Sequence, residues 1–271
     1  MGRRRALLLA VAAVAALALA CGRAANHADP EHPRFLGQYA VPGAPDSVLR
    51  VVSFNIQFAR HIDAAIALLG ADPALRAPDV LALQEMDEAG VERIARALDL
   101  NYVYYPSAVH PVNDRNFGNA ILSPWPILAS RKLPLPHRSR TRGLERAAVV
   151  ATVAVNGERV RIYSIHLETP FALGDRARRD QVRAILADAA TSPDPVLVAG
   201  DLNSRGLGAM FEAAGYTWPT AEVGPTVSFF SWDHVFARGF APDRGVVAGT
   251  VRDAGGASDH RPVWVVIDLS P

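Results

Sequence analysis

Two apolar runs in this chain end in carboxylates. Val80-Leu81-Ala82-Leu83 leads into Gln84-Glu85, and Val196-Leu197-Val198-Ala199 leads into Gly200-Asp201-Leu202-Asn203. An apolar run of that length bounded by turn residues reads as a buried strand. Several such strands can bring the acids at their ends to one edge of a sandwich. A third polar cluster, Ser258-Asp259-His260, stands near the C-terminus. Carboxylate oxygens gathered beside a histidine suit a divalent metal and a proton carrier.

The chain has 271 residues, half of them apolar, which suits one large domain with a full core. The segment 48–55 reads as its first strand. Helical spacing at 61–70 and 88–98 flanks a strand at 79–85, and another strand runs through 118–123. Residues 146–155 and 159–167 alternate on either side of Asn156-Gly157, the strongest short-range hairpin signal. The segment 174–190 predicts an amphipathic helix with Arg176, Arg178, Arg179 and Arg183 at polar positions. Strands follow at 195–200, 232–237 and 261–268. Helices mixed with strands, one pair of them antiparallel, predict an α/β (α+β) four-layered sandwich. Two mixed sheets pack face to face with helices outside. The stretches 106–117 and 131–146 read as surface loops, where function concentrates in such folds.

Residues 1–20 read as an export signal. Met-Gly-Arg-Arg-Arg is followed by an apolar stretch, Ala6–Ala20, with small residues at Ala18 and Ala20. The stretch is short for a membrane span. Cys21 is the only cysteine and follows directly, so the signal resembles that of a bacterial lipoprotein, in which the cysteine is lipidated and becomes the first mature residue. An ordinary signal cut at the same place, with Cys21 unmodified, fits the same residues. Either reading places the protein outside the cytoplasm, anchored to a membrane by lipid or free. Residues 21–47, rich in Pro, Ala and His, read as a flexible tether, and 48–271 as the catalytic domain. Beyond the signal the chain has 25 basic against 27 acidic side chains, so bulk charge marks no polyanion binder. Lys132 is the only lysine.

Seven short motifs occur in order: Ser53-Phe54-Asn55-Ile56, Gln84-Glu85, Gly118-Asn119-Ala120-Ile121-Leu122-Ser123, Ser164-Ile165-His166-Leu167, Gly200-Asp201-Leu202-Asn203, Trp232-Asp233-His234-Val235 and Ser258-Asp259-His260. The set resembles the endonuclease/exonuclease/phosphatase superfamily over residues 48 to 268. Each motif alone is weak; the ordered set is specific. The resemblance implies hydrolysis of phosphoesters with Mg2+ or Mn2+, by a monomer. It implies Glu85 as principal metal ligand, with Asn55 and Asp259 beside it. Oxygen donors without clustered cysteine or histidine do suit those ions better than zinc. It implies His260 as the base that activates water and Asp233 as its orienter. It implies His166 as a donor to phosphoryl or leaving-group oxygens, and Asp201 with Asn203 as the pair that positions water and phosphoryl group. Strand alternation would put Asp201 and Asn203 on one face. Asn119 and Arg146 resemble phosphate contacts, although Arg138, Arg140 and Arg142 compete with Arg146. His234 reads as structural. Gln57 stands where some nuclease members carry an acid, which leaves the number of metals open.

The substrate stays open among nucleic acid, a phospholipid and a small phosphoester. Phe229-Phe230 with Trp232 reads as the start of the buried Asp233 strand rather than as a membrane-touching patch. A non-catalytic binding lipoprotein on the same fold would be expected to lose Glu85, Asp201 or His260, and all three are present.

Overall fold

A computed structural model describes residues 22–41, 47–240 and 245–269. The signal reading at 1–20 and Cys21 lie outside the described residues. In chain order the strands are β1 (Ala25–Asn26), β2 (Phe35–Gly37), β3 (Val48–Asn55), β4 (Val80–Met86), β5 (Asn101–His110), β6 (Arg115–Ser123), β7 (Ile127–Arg138), β8 (Glu145–Val155), β9 (Glu158–His166), β10 (Val196–Asp201), β11 (Asp233–Arg238), β12 (Val246–Thr250) and β13 (Val263–Asp268). The helices are α1 (Ile62–Ala71), α2 (Glu88–Ala97), α3 (Asp175–Ala189) and the short α4 (Ala209–Ala213).

One sheet runs β1-β5-β6-β4-β3-β13-β12, with β2 also on β5, and the other runs β11-β10-β9-β8-β7. Both are mixed. β3 and β4 are parallel, as are β9 and β10, while their other neighbours are antiparallel. The continuous apolar runs follow from this layering. Val51, Val80 and Ala82 face the core between the sheets, with Val149, Ile162, Leu197 and Ala199 opposite. The alternate residues Val52, Phe54, Leu81 and Leu83 face outward beneath Ile62 and Leu69 of α1 and Val91 and Ile94 of α2. In the second sheet Val196 and Val198 face outward beneath Val182 and Ile185 of α3. A strand covered on both faces has no reason to alternate. Each such Val, Leu or Phe contributes about 1.5–3 kcal/mol by burial.

Gly200 sits where β10 comes closest to β9: a Cβ there would lie 1.9 Å from the Ile165 carbonyl oxygen. The expected hairpin is present, with Asn156 at φ 53° and Gly157 at φ 86°, the left-handed pair a type I′ turn requires.

Three readings from the sequence are corrected. The stretch 106–117 is mostly strand: β5 reaches His110 and β6 starts at Arg115. In the stretch 131–146, residues 131–138 belong to β7, a twelve-residue edge strand paired with β8, and 139–144 is the loop between them. The charges of β7 hid it, and charge is what an edge strand tolerates. The proposed tether is packed over 22–41. β1 and β2 bond to β5, and the buried Lys132 ammonium donates to the carbonyls of His27, His32 and Pro106. Backbone pairing to a sheet edge needs no apolar period, so composition concealed it.

Candidate active site

The parallel and antiparallel pairings bring the chemical side chains to one edge. Asp201 lies in register with His166 on β9 and with Asp233 on β11. Asn55 ends β3, in register with Gln84 on β4. Glu85 adopts φ 59° where the β4–β6 register slips between Leu83 and Met86. Such a bulge re-aims a side chain, and Glu85 keeps 15% of its side chain exposed. Gln57, Phe58 and Ala59 also have positive φ. Left-handed backbone at non-glycine residues costs about 1–3 kcal/mol each and persists only where the surroundings enforce it. Here the Phe58 N–H donates to Glu85 Oε2 at 3.1 Å and the Gln57 N–H to Asn55 Oδ1 at 3.1 Å.

Asn55 ties the two sheets together at the site. Its Nδ2 donates to Glu85 Oε1 at 3.3 Å and to Asp201 Oδ2 at 3.1 Å. Deeper in, Gln84 donates to Ser164 Oγ, and Asn119 Nδ2 donates to the carbonyls of Ala147 and Ser164. Asn119 therefore spends both amide hydrogens on joining the sheets.

His260 Nδ1 and Asp233 Oδ2 are 2.8 Å apart, and His260 Nε2 lies 3.8 Å from Asp201 Oδ2. The Thr226 hydroxyl accepts from the Trp232 and Asp233 N–H groups. The Ser258 hydroxyl donates to the Asn55 carbonyl and accepts the His260 N–H. These bonds hold Asp233 and His260 in place. Burial alone would lower the His260 pKa, but the Asp233 charge and hydrogen bond, then Asp201 and Asp259, carry it to about 10.

His166 differs. Arg146 Nη1 lies 2.9 Å from His166 Nδ1. The same Nη1 is 3.3 Å from Nε2. A guanidinium only donates, so the shorter contact makes Nδ1 the acceptor and puts the proton of the neutral ring on Nε2, which is 3.5 Å from Asp201 Oδ2. Burial first, then the Arg146 and His260 charges, hold His166 well below the usual histidine range. Arg146 is itself buried, paired with Glu168 at 3.1 Å and 5.3 Å over the Phe117 ring. Arg138 pairs instead with Glu145, its own side chain exposed, and Arg140 and Arg142 are exposed too, so of the competing arginines Arg146 is the buried one against His166.

Asp201 and Asn203 are brought together, but not by strand alternation. Asn203 has φ 50°. Its N–H donates to Asp201 Oδ1 at 2.7 Å and its Nδ2 to the Leu167 carbonyl at 3.0 Å. Asp259 is exposed and its polar contact is with the Ser258 hydroxyl at 3.4 Å, so it flanks the site without touching Glu85. His234 is buried between Trp218 and the Ser231 carbonyl, a structural role. Phe229 and Phe230 do not enter the core; they are 75% and 39% exposed.

Two supporting residues escape a reading of the sequence for chemistry. Glu168 holds Arg146 against His166. Arg178, expected above at a polar position of its helix, is 5% exposed and donates to the carbonyls of Leu202 and Asn203.

The donors fit a divalent cation. Glu85 and Asp201 offer hard oxygens, whereas Asn55 turns its Nδ2 to both carboxylates and its Oδ1 to the Gln57 N–H, so it would ligate a cation only with its amide turned over. Burial raises the Glu85 and Asp201 pKa values, Asp233 adding to the second. Asp233 Oδ1 is buried without a hydrogen-bond partner among the described residues. Ligand atoms of Asp201, Asp233 and His260 also fall within 4.8 Å of one another. The 2.8 Å bond occupies His260 Nδ1 and argues for a base pair there, leaving the cation to the Glu85 side.

The family model described as "Endonuclease/Exonuclease/phosphatase family" matches residues 52–260. No curated protein sequence matches the chain. Among solved structures, a Beutenbergia cavernae endonuclease/exonuclease/phosphatase is 23% identical, with 83% of this chain and 72% of that one covered and a TM-score of 0.65. TDP2 from D. rerio, in complex with a single-strand DNA product, is 21% identical over 82% of this chain and 99% of its own, with a TM-score of 0.62. A Bacteroides vulgatus endonuclease/exonuclease/phosphatase is 15% identical over 83% and 100%, with a TM-score of 0.65. These likenesses show the fold. The family match, running from β3 to His260, shows that this chain belongs to the endonuclease/exonuclease/phosphatase family of metal-dependent phosphoester hydrolases.

Proposed function

We propose that the chain is an exported hydrolase that attacks phosphorus with a water activated by His260, and that its cation is magnesium or manganese held by Glu85 and Asn55. The observation that carries this reading is the 2.8 Å Asp233–His260 bond at the same edge as Glu85, Asn55 and Asp201. Asp233 fixes Nδ1 and leaves Nε2 facing the other carboxylates, where a water would sit. In its neutral form, which a pKa of about 10 reserves for alkaline pH in the cation-free chain, His260 takes the water's proton on Nε2 as the oxygen attacks in line with the leaving alcohol. His166, with Nε2–H facing the site, and Asn203 hold charge on the phosphoryl oxygens. Arg146, kept in place by Glu168, sets the His166 tautomer. The cation, when bound, neutralises phosphoryl charge and stabilises the leaving oxygen.

Export rests on Met-Gly-Arg-Arg-Arg and the apolar Ala6–Ala20 stretch, and anchoring on Cys21 directly after it. Oxygen donors favour magnesium or manganese over softer ions. The substrate is one of three: nucleic acid, phospholipid or small phosphoester. The test is hydrolysis of bis-nitrophenyl phosphate, plasmid DNA, RNA, sphingomyelin and inositol phosphates in chelator, magnesium and manganese. Activity should vanish in chelator and return with either ion, and Glu85→Gln should lose most of it. Full turnover in chelator would sink the reading.

A further inference from the structure

Four exposed large apolar side chains, Val112, Phe171, Phe229 and Phe230, lie on loops around the catalytic edge. The ends of β3, β9 and β10 and the start of β11 bring Asn55, His166, Asp201 and Asp233 to this edge. The end of β5 reaches it through the His110–Phe117–His166 ring contacts, and β7 ends opposite Glu145, next to Arg146. Val112 lies between β5 and β6 and is 56% exposed; Phe171, after β9, is 87% exposed. Phe229 and Phe230 precede Asp233; the Phe230 ring stacks on Trp232 and meets the Phe229 ring at a tilt, and the Val227 backbone bridges both Phe230 and His260. Truncating any of these removes little internal packing, so the fold does not need them there.

The same loops carry cations. Residues 56–61, 111–114, 139–144, 167–174 and 225–232 contain Arg60, Arg140 and Arg142, and their acids are Asp114 and the Arg146-bound Glu168. Arg60, Arg140 and Arg142 are exposed, as is Arg23. The loop 251–262 is balanced, with Arg252 and Arg261 against Asp253 and Asp259.

The route of the chain supplies the third observation. Residues 22–26 enter at this edge. The Ala24 N–H donates to the Arg142 carbonyl, Ala24 packs with Phe58, Phe117 and Leu144, and β1 pairs with the last residues of β5. Cys21 is three residues from Ala24, a reach of about 11 Å even fully extended. A lipid on Cys21 would therefore hold the catalytic edge at the bilayer rather than let the domain float on a long tether.

We propose that the catalytic edge is a lipid-docking face: Val112, Phe171, Phe229 and Phe230 enter the apolar boundary of a bilayer while Arg23, Arg60, Arg140 and Arg142 meet anionic headgroups. Apolar rings ringed by cations are the chemistry of interfacial binding. A single-strand nucleic acid would use Phe229, Phe230 and Trp232 but needs a basic groove along its backbone, and Phe171 and Val112 would have no partner.

The inference concerns binding and does not depend on which phosphoester is hydrolysed. It is tested with the chain from Gly22 onward, which holds every strand of both sheets and lacks the apolar leader. Sedimentation with phosphatidylglycerol–phosphatidylcholine vesicles should carry it down at low salt. The Phe171→Ser/Phe229→Ser double variant should bind about tenfold or more weakly, because two exposed rings no longer enter the lipid. Arg140→Gln/Arg142→Gln should lose binding to phosphatidylglycerol vesicles and change little on pure phosphatidylcholine. Both variants should keep turnover of bis-nitrophenyl phosphate, which reports the fold and the hydrolase reading separately. An unsubstituted protein that stays in the supernatant, a Phe171/Phe229 variant that binds as well, or binding to single-stranded DNA in preference to vesicles would overturn the proposal.

Discussion

His260 has two ring nitrogens, and the fold commits one of them. With Nδ1 2.8 Å from Asp233 Oδ2, only Nε2 is left to exchange protons. Removing the ring in His260→Ala should lower turnover about 10²–10⁴-fold, the usual cost of a positioned base. Asp233→Asn keeps the shape but replaces a charged acceptor by an amide, so the ring loses its orientation and a similar fall is expected. Steady-state turnover together with circular dichroism checks both; wild-type turnover in either variant refutes the role. At this scale the sequence was informative where a motif names the residue. Glu85, Asn55, His166, Asp201, Asn203, Asp233 and His260 all meet at one edge. It was silent on Glu168, two residues beyond His166, because nothing local shows that an acid there meets an arginine twenty-two positions back. Asn203 shows a further limit. Its left-handed backbone and its bond to Asp201 Oδ1 belong to a turn, which strand alternation cannot describe.

At the scale of elements, α3 does more than cover the second sheet. Its buried positions Arg178, Val182, Ile185 and Ala189 recur at helical spacing, so Arg178 lies on the apolar stripe. That phase was legible in the sequence; charge overrode it in the reading. Arg178 reaches the carbonyls of Leu202 and Asn203, and thus supports the turn that carries Asn203. Arg178→Met keeps the stem and removes both bonds, leaving buried carbonyls unpaired. A loss of about 1–3 kcal/mol is expected, seen as a lower melting temperature, with turnover reduced as Asn203 shifts. Unchanged melting and unchanged turnover would show that the bonds are idle. Strand recognition failed for a different reason. β7 contains Arg131, Lys132, Pro134 and Pro136, residues that argue against an interior strand and are tolerated on an edge. β5 contains Pro106 at the register slip opposite Gly118. Both strands are defined by their partners rather than by their own pattern.

Across the whole molecule, the layered architecture was legible because β4 and β10 are covered on both faces and read as apolar runs, and because Asn156-Gly157 marks the turn between the alternating β8 and β9. The packed 22–41 segment was not, since backbone pairing to β5 and the Lys132 ammonium hold it. The two sheets are joined at the core by apolar side chains and at the edge by polar ones. That edge gathers Glu85, Asp201 and Asp233, and burial opposes the charge of the first two. Asp233 Oδ1 has no hydrogen-bond partner among the described residues. A cation binding there belongs to the folded chain only, because its donors come from β3, β4 and β10 and disperse on unfolding. Binding at about a hundred times the dissociation constant adds about 2.7 kcal/mol of stability. For a domain of this size that corresponds to roughly 5–10 °C in melting temperature. Magnesium and manganese should each raise the melting temperature of chelator-stripped protein by that order, without any substrate present. Glu85→Gln should remove most of the shift while altering the chelated melting temperature little or upward, since it deletes a charge that burial disfavours. Equal melting in chelator and in saturating cation, measured on the unsubstituted chain, would place the metal elsewhere, and a full shift retained in Glu85→Gln would move it to the Asp201, Asp233 and His260 group.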